Sequence, residues 1–310
     1  MPRPFRFGVQ VAQAGSAAQW RDKARRIEDL GYSTLFMPDH FGQELAPMPA
    51  IAMAAAHTTT LRIGSLVFDN DYKHPAILAK EAATIDVLSD GRLELGVGAG
   101  WMRSDYDALG LPYDPPAVRV DRFEEALQVI KGCLSGEEFT FHGEHYRITK
   151  YASWPRPSQR PRPPLLIGGG GRRVLSIAAR EADIVGVNPN LRAGEVNLET
   201  AKDSLQEQTD RKIEWVREAA GDRWDDLEIQ MRFFVAKITD DRMGFAQAMA
   251  PMFGVSPEEA LESGAALVGS VEEVVEQLQR RRERWGVSYV VVGDENVDEF
   301  APVVAKLAGT

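Results

Sequence analysis

The strongest constraint in this chain is an alternation sustained along its whole length. Short apolar runs rich in strand formers are each followed by a stretch with helical spacing. The runs 5–11, 35–37, 61–68, 92–97, 164–167, 183–187, 229–238 and 288–292 read as eight strands. Helices are expected over 16–30, 49–56, 75–88, 118–134, 174–182, 197–220, 271–285 and 300–307. In the first of them Trp20, Ala24, Ile27 and Leu30 share one face and Gly31 supplies the stop. Alternating βα units imply a parallel sheet. Eight of them in 310 residues predict an α/β protein built as a closed (β/α)8 TIM barrel, one domain over 1–310. The competing architecture is an open doubly wound sheet, which normally has fewer strands and a dinucleotide fingerprint. Two insertions exceed a minimal barrel. Residues 135–163, after the fourth strand and its helix, read as a short hairpin and a Pro/Arg-rich linker. Residues 243–264, after the seventh strand, carry Met and Phe residues that suggest a lid or pocket wall.

Composition narrows the function. With 44% hydrophobic residues the chain can bury a large core without disulfides or structural metals. Thirty-six basic against 46 acidic residues leave a net charge of -10 with no basic block, which argues against nucleic acid and anionic membranes as partners. Cys133 is the single cysteine, so an internal disulfide and a cysteine metal cluster are excluded. The start Met1-Pro2-Arg3-Pro4-Phe5 has no signal-peptide core, and no apolar stretch is long enough to span a bilayer. The expectation is a cytoplasmic enzyme or ligand-binding module acting on a small molecule.

In a barrel, chemistry gathers at the carboxyl ends of the strands. Four unusual groups fall there. Gly168, Gly169, Gly170 and Gly171, followed by Arg172, Arg173 and a helix, can converge backbone N–H groups on an anion at a favourable helix end. No Lys-Ser/Thr pair follows, so this is not a P-loop. Gly98, Ala99 and Gly100 lack the third glycine of a dinucleotide fingerprint, because Trp101 stands in its place; they suit the close approach of a flat ligand or, equally, tight strand–helix packing. His40 ends the second strand beside Asp39 and is a candidate proton carrier, with Asp39 expected either to orient it or to bind a ligand hydroxyl. The fourth group is the stretch 65–70. His57, His74, His142 and His145 read as structural, no metal site is expected, and Cys133 sits on an apolar helix face. The absence of a Gly-x-Ser-x-Gly elbow disfavours a serine hydrolase.

The segments "LGYSTLFMPDHF", "LRIGSLVFDNDYKHPAILAKEAATIDVLSDGRLELGVGAGW", "PPLLIGGGGRRVLSIAAREADIVGV" and "GSVEEVVEQLQRRRERWGVSYVVV", in that order, resemble the bacterial luciferase-like superfamily and especially its deazaflavin (coenzyme F420) dependent oxidoreductases. The resemblance implies a flavin or deazaflavin at the strand ends and a homodimer. It places Asp39 against the ring, His40 as proton donor or acceptor, and Ser65, Leu66, Val67 and Phe68 along the ring's other face, with a non-prolyl cis peptide expected at Ser65–Leu66. Gly98, Ala99 and Gly100 would lie near the ring or ribityl chain, and the run 168–171 with Arg172 would hold the phosphate. One departure stands out. Sugar-phosphate dehydrogenases of the family carry a glutamate where this chain has Trp101, so neither that acid nor that substrate transfers; Ser104 and Asp105 are the polar residues nearby. The expected function is hydride transfer between F420 and an organic substrate. The alternatives are an FMN-dependent monooxygenase of the same superfamily and a non-catalytic flavin-binding barrel.

Overall fold

A computed structural model describes residues 3–310; Met1 and Pro2 lie outside the described residues. Eight parallel strands close on themselves: β1 (Arg6–Gln10), β2 (Thr34–Met37), β3 (Arg62–Ser65), β4 (Leu93–Gly98), β5 (Leu165–Gly169), β6 (Ile184–Val187), β7 (Glu228–Arg232) and β8 (Val287–Gly293). Each pairs with its neighbours in sequence, and β8 pairs with β1 to complete the ring, in register Arg6 opposite Tyr289 through Gln10 opposite Gly293. This is the (β/α)8 barrel that the alternation predicts.

The strand ring is jacketed by α1 (Ala17–Asp29), α2 (Pro47–His57), α3 (Pro75–Leu88), α4 (Pro116–Ser135), α5 (Arg172–Glu181), α6 (Gln206–Ala220), α7 (Val271–Trp285) and α8 (Val297–Leu307). Their limits follow from local chemistry. The Ser16 side chain accepts from the Gln19 N–H to start α1, which buries Trp20, Ala24 and Ile27 and is stopped by Gly31 at φ +83°. Ser270 and Glu273 form a reciprocal capping box on α7, and Gly286 ends it in the left-handed region. The main core lies between strands and helices. A smaller one fills the barrel, built on Phe36, Leu166, Ile184, Tyr289 and Val291 with Leu66 and Val67 against it.

Two expectations need correction, and a third gains a destination. The run 229–238 is two strands: β7 ends at Arg232, and Val235–Ile238 leaves the barrel to pair in parallel with Ala266–Gly269, a strand the sequence reading missed. The helices Arg242–Phe253 and Pro257–Leu261 are carried between those two strands. The span 197–220 is also broken, into Leu198–Lys202 and α6, where the Asp203 carboxylate accepts from the Asn190 N–H at 2.6 Å and also binds Lys212. Finally, 135–163 does form the expected hairpin (Phe139–His142 with Arg147–Tyr151), but the segment after it reaches the amino end of the barrel. There Gln159 donates to Asp86 at 2.6 Å and to the Leu93 carbonyl at 2.8 Å.

The amino end is closed by charge. Glu94, fully buried, accepts from Arg6, from Arg62 Nε at 2.6 Å and from the Tyr289 hydroxyl at 2.9 Å, while Arg6 also donates to Glu228 at 2.7 Å and stacks 3.7 Å over the Tyr289 ring. Burial alone would push the Glu94 carboxyl up; the Arg6 and Arg62 charges overcome this and hold it below the usual glutamate range.

Candidate active site

At the opposite end the strands open into a cavity of about 930 Å³. It brings together residues from every part of the sequence singled out above: Asp39 and His40 after β2, Leu66 and Val67 after β3, Gly98, Ala99 and Gly100 at the end of β4, and Gly168, Gly169, Gly170, Gly171 and Arg172 where β5 enters α5. Ser65 and Phe68 are not in the lining. Ser65 is still in the β3 ladder and wholly buried, its hydroxyl donating to the Met37 carbonyl at 2.8 Å, and Phe68 opens a two-residue strand, Phe68–Asp69, paired in parallel with Val97–Gly98, and packs into the main core. The cis peptide falls one residue later than expected, at Leu66–Val67. The reason is visible in the ladder: the Leu66 N–H still bonds to the Met37 carbonyl, so the chain departs from strand geometry only after it. The Leu66 carbonyl then accepts from Gln10 Nε2 at 2.9 Å.

Close packing requires the glycines at the end of β4. A Cβ on Gly98 would come within 2.7 Å of Val67, and Gly100, at φ +75°, would drive one into the Tyr106 hydroxyl and the Asp69 carboxylate. Next to these glycines is a cluster of acids. Asp39 accepts from the Asp69 N–H at 3.0 Å, and burial raises its pKa despite that bond. Burial pushes the Asp69 carboxyl up to about 7. Glu44 is raised by burial as well, and its Oε2 has no hydrogen-bond partner among the described residues.

The partner of His40 is Asp105, not Asp39. Its Nδ1 lies 2.7 Å from Asp105 Oδ2, and Asp105 is buried, also accepting from the Tyr72 hydroxyl at 3.1 Å. A carboxylate only accepts, so Nδ1 carries the proton; Nε2 makes no hydrogen bond among the described residues. The edge of the Trp101 ring packs 5.4 Å from the imidazole at 86°. Ser104, by contrast, is exposed.

The glycine run suits an anion on two counts. Helix α5 starts at Gly171 with no side-chain cap and no acid in its first turn, so its leading N–H groups are unclaimed by side chains. The arginines are less committed to it than the sequence suggests: Arg172 is largely exposed and pairs with Glu218 at 3.2 Å, and Arg173 binds Asp121 at 2.6 Å and also Glu124. Among the polar lining residues that escaped the sequence reading are Gln10 and Arg232, the last residues of β1 and β7. The signal was available, since each is a polar residue ending an apolar strand.

Comparison with known proteins agrees with this architecture. A family profile described as luciferase-like monooxygenase matches residues 3–221. An FMNH(2)-dependent dimethylsulfone monooxygenase of Pseudomonas putida is 34% identical over 135 residues, 44% of this chain and 37% of that protein. An F420-dependent glucose-6-phosphate dehydrogenase of Nakamurella multipartita is 28% identical over 277 residues, 84% of this chain and 78% of that protein. Among solved structures, the coenzyme F420 dependent tetrahydromethanopterin reductase of Methanopyrus kandleri superposes with a TM-score of 0.78 at 19% identity, covering 98% of this chain and 99% of that one. Relatives of both cofactor types therefore share this barrel. With well over half its length matched by the profile, the chain belongs to the luciferase-like monooxygenase family.

Proposed function

We propose that the protein is an F420-dependent oxidoreductase that moves a hydride between the deazaflavin and an organic substrate. The observation that carries the reading is the His40–Asp105 pair, whose imidazole lines the same cavity as Leu66, Val67 and the segment 98–100. The residues present fit a flat, phosphate-bearing cofactor: Leu66, Val67 and the segment 98–100 offer a platform, and the run 168–171 with the uncapped start of α5 offers N–H groups to a phosphate. When bound, F420 supplies the hydride-carrying carbon. The chain's own part is positioning and proton transfer. Asp105 fixes the imidazole tautomer and orientation, and His40 Nε2 gives or takes the proton that accompanies reduction or oxidation of the substrate. The choice of F420 is supported by the relative that aligns along most of its own length, an F420-dependent enzyme. The FMN reading is favoured by one observation, the higher local identity to an FMNH(2)-dependent monooxygenase. Equilibrium titration with each cofactor separates them. F420 is expected to bind at micromolar or tighter levels and FMN appreciably more weakly; tight FMN binding without an F420 response would replace the first reading by the second.

A further inference from the structure

Arg232 is a charged group of the cavity whose chemistry the cofactor reading leaves unused. It closes β7 at the cavity wall and makes a single hydrogen bond among the described residues, from Nε to Gln10 Oε1. The two terminal nitrogens of the guanidinium make no hydrogen bond among the described residues. Its face lies 4.6 Å over the Phe234 ring. No carboxylate of the described residues forms an ion pair with it. Of the nearest acids, Asp294 is held by Lys23 and Glu295 is exposed on the turn after β8. Burial lowers its pKa and the charges of Glu295 and Asp294, which line the same cavity, oppose that; an arginine stays protonated in a protein. A partly buried cation that these acids face without forming an ion pair keeps its donors free for an anionic ligand. Arg6 and Arg62 are both tied to Glu94, whereas Arg119 and Arg281, which also lack an ion pair among the described residues, are held by main-chain carbonyls and aromatic rings.

The rest of that wall is apolar. Phe245, Met249 and Phe253 from helix Arg242–Phe253 line it with Leu261, and Phe234 and Val196 face the opening 51% and 73% exposed. Large side chains left bare around one unpaired guanidinium describe an amphiphile in negative image. We propose that Arg232 is the receptor for the anionic head of the substrate, a carboxylate or a similar organic oxyanion, whose apolar body lies against the 242–261 segment. The planar fork can grip two oxygens at once, which a lysine cannot. The proposal deepens the oxidoreductase reading by naming the class of substrate, but its test does not depend on which cofactor binds.

The test is calorimetric titration of the purified protein with octanoate and with octanamide, which match in size and differ in charge, without and with saturating cofactor. Octanoate is expected to bind about tenfold or more tightly than octanamide. In Arg232→Gln that preference should vanish while octanamide binding holds, and Arg232→Lys should keep the preference in weakened form. Equal affinities in the unaltered protein overturn the proposal whether or not the variants fold. So does a preference that survives Arg232→Gln. A third overturning result is that Arg232→Gln weakens F420 or FMN binding and leaves the octanoate preference intact, which would make the arginine a cofactor contact.

Discussion

The two ends of the barrel use the same residue types to opposite effect. At the amino end Arg6, Arg62, Glu94, Glu228 and Tyr289 saturate one another, and nothing charged is left over. At the carboxyl end Arg232 forms no ion pair among the described residues, Glu44 keeps an unpartnered oxygen, and Asp39 and Asp69 are held towards their protonated forms by burial. The difference sets a structural plug whose charges satisfy one another against an open cavity lined by polar groups that the chain leaves unpaired.

The largest expected effect comes from breaking the plug. Glu94→Gln leaves two arginines facing each other with no anion between them and should destabilise the fold by about 3–5 kcal/mol, read by denaturant unfolding at pH 7. Glu94 has a folded pKa below the ordinary glutamate value. Its contribution is therefore complete above that value and drains as pH falls through the folded pKa, so the acid limb of the stability curve should flatten in the variant. A loss no larger than that of an exposed ion pair would mean that the plug is ornamental.

At the open end the same operation should cost activity and spare the fold. His40→Ala is expected to lower turnover about 10²–10⁴-fold with the melting temperature unchanged. Asp105→Asn should give a milder loss, because the imidazole stays but its tautomer is no longer enforced. If His40→Ala melts early and turns over normally per folded molecule, the pair belongs with the plug.

A smaller effect isolates the glycine run. A side chain on Gly171 meets nothing closer than Asn190 at 3.8 Å, and its backbone is extended, the conformation of a helix cap. Gly171→Asp should therefore hold or raise stability. It also places a negative charge where phosphate is expected; like charges about 4 Å apart repel by about 4 kcal/mol at an effective dielectric of 20, and even a third of that weakens binding about tenfold. Cofactor affinity that is unmoved in the folded variant would reduce the run to a turn.

The last effect is a matter of pH. Asp69, raised to about 7, stays protonated in the folded chain after the unfolded chain has ionised, so its contribution is full below pH 4 and is lost as pH rises towards 7. Asp69→Asn should flatten stability across that window and gain slightly over the parent at pH 8. The two ends then titrate in opposite directions, Glu94 losing its hold in acid and Asp69 losing its own towards neutrality.

Most of the barrel was legible because its strands are apolar runs with clear helical partners. What misled was local resemblance. Val235–Ile238 is as strand-like as β7, and only the placement of Ala266–Gly269 beside it shows that the ladder has left the barrel. The site was legible where it is contiguous in sequence, as in the glycine run and the Asp39-His40 step. It was opaque where it depends on folding: Asp105 lies 65 residues from His40, and no spacing rule links them. Gln10 and Arg232 fell between these cases, readable as polar residues ending apolar strands yet overlooked beside the glycines.

That departure of the ladder has an evolutionary consequence. The aromatic and methionine side chains facing the cavity ride on a segment anchored by a four-residue pairing, Val235–Ile238 with Ala266–Gly269, outside the closed ring. Mutational drift there can reshape what the enzyme accepts without disturbing barrel closure or the proton pair. Descendants of one scaffold can thus inherit the reaction intact while exchanging appetites, one short excursion of chain at a time.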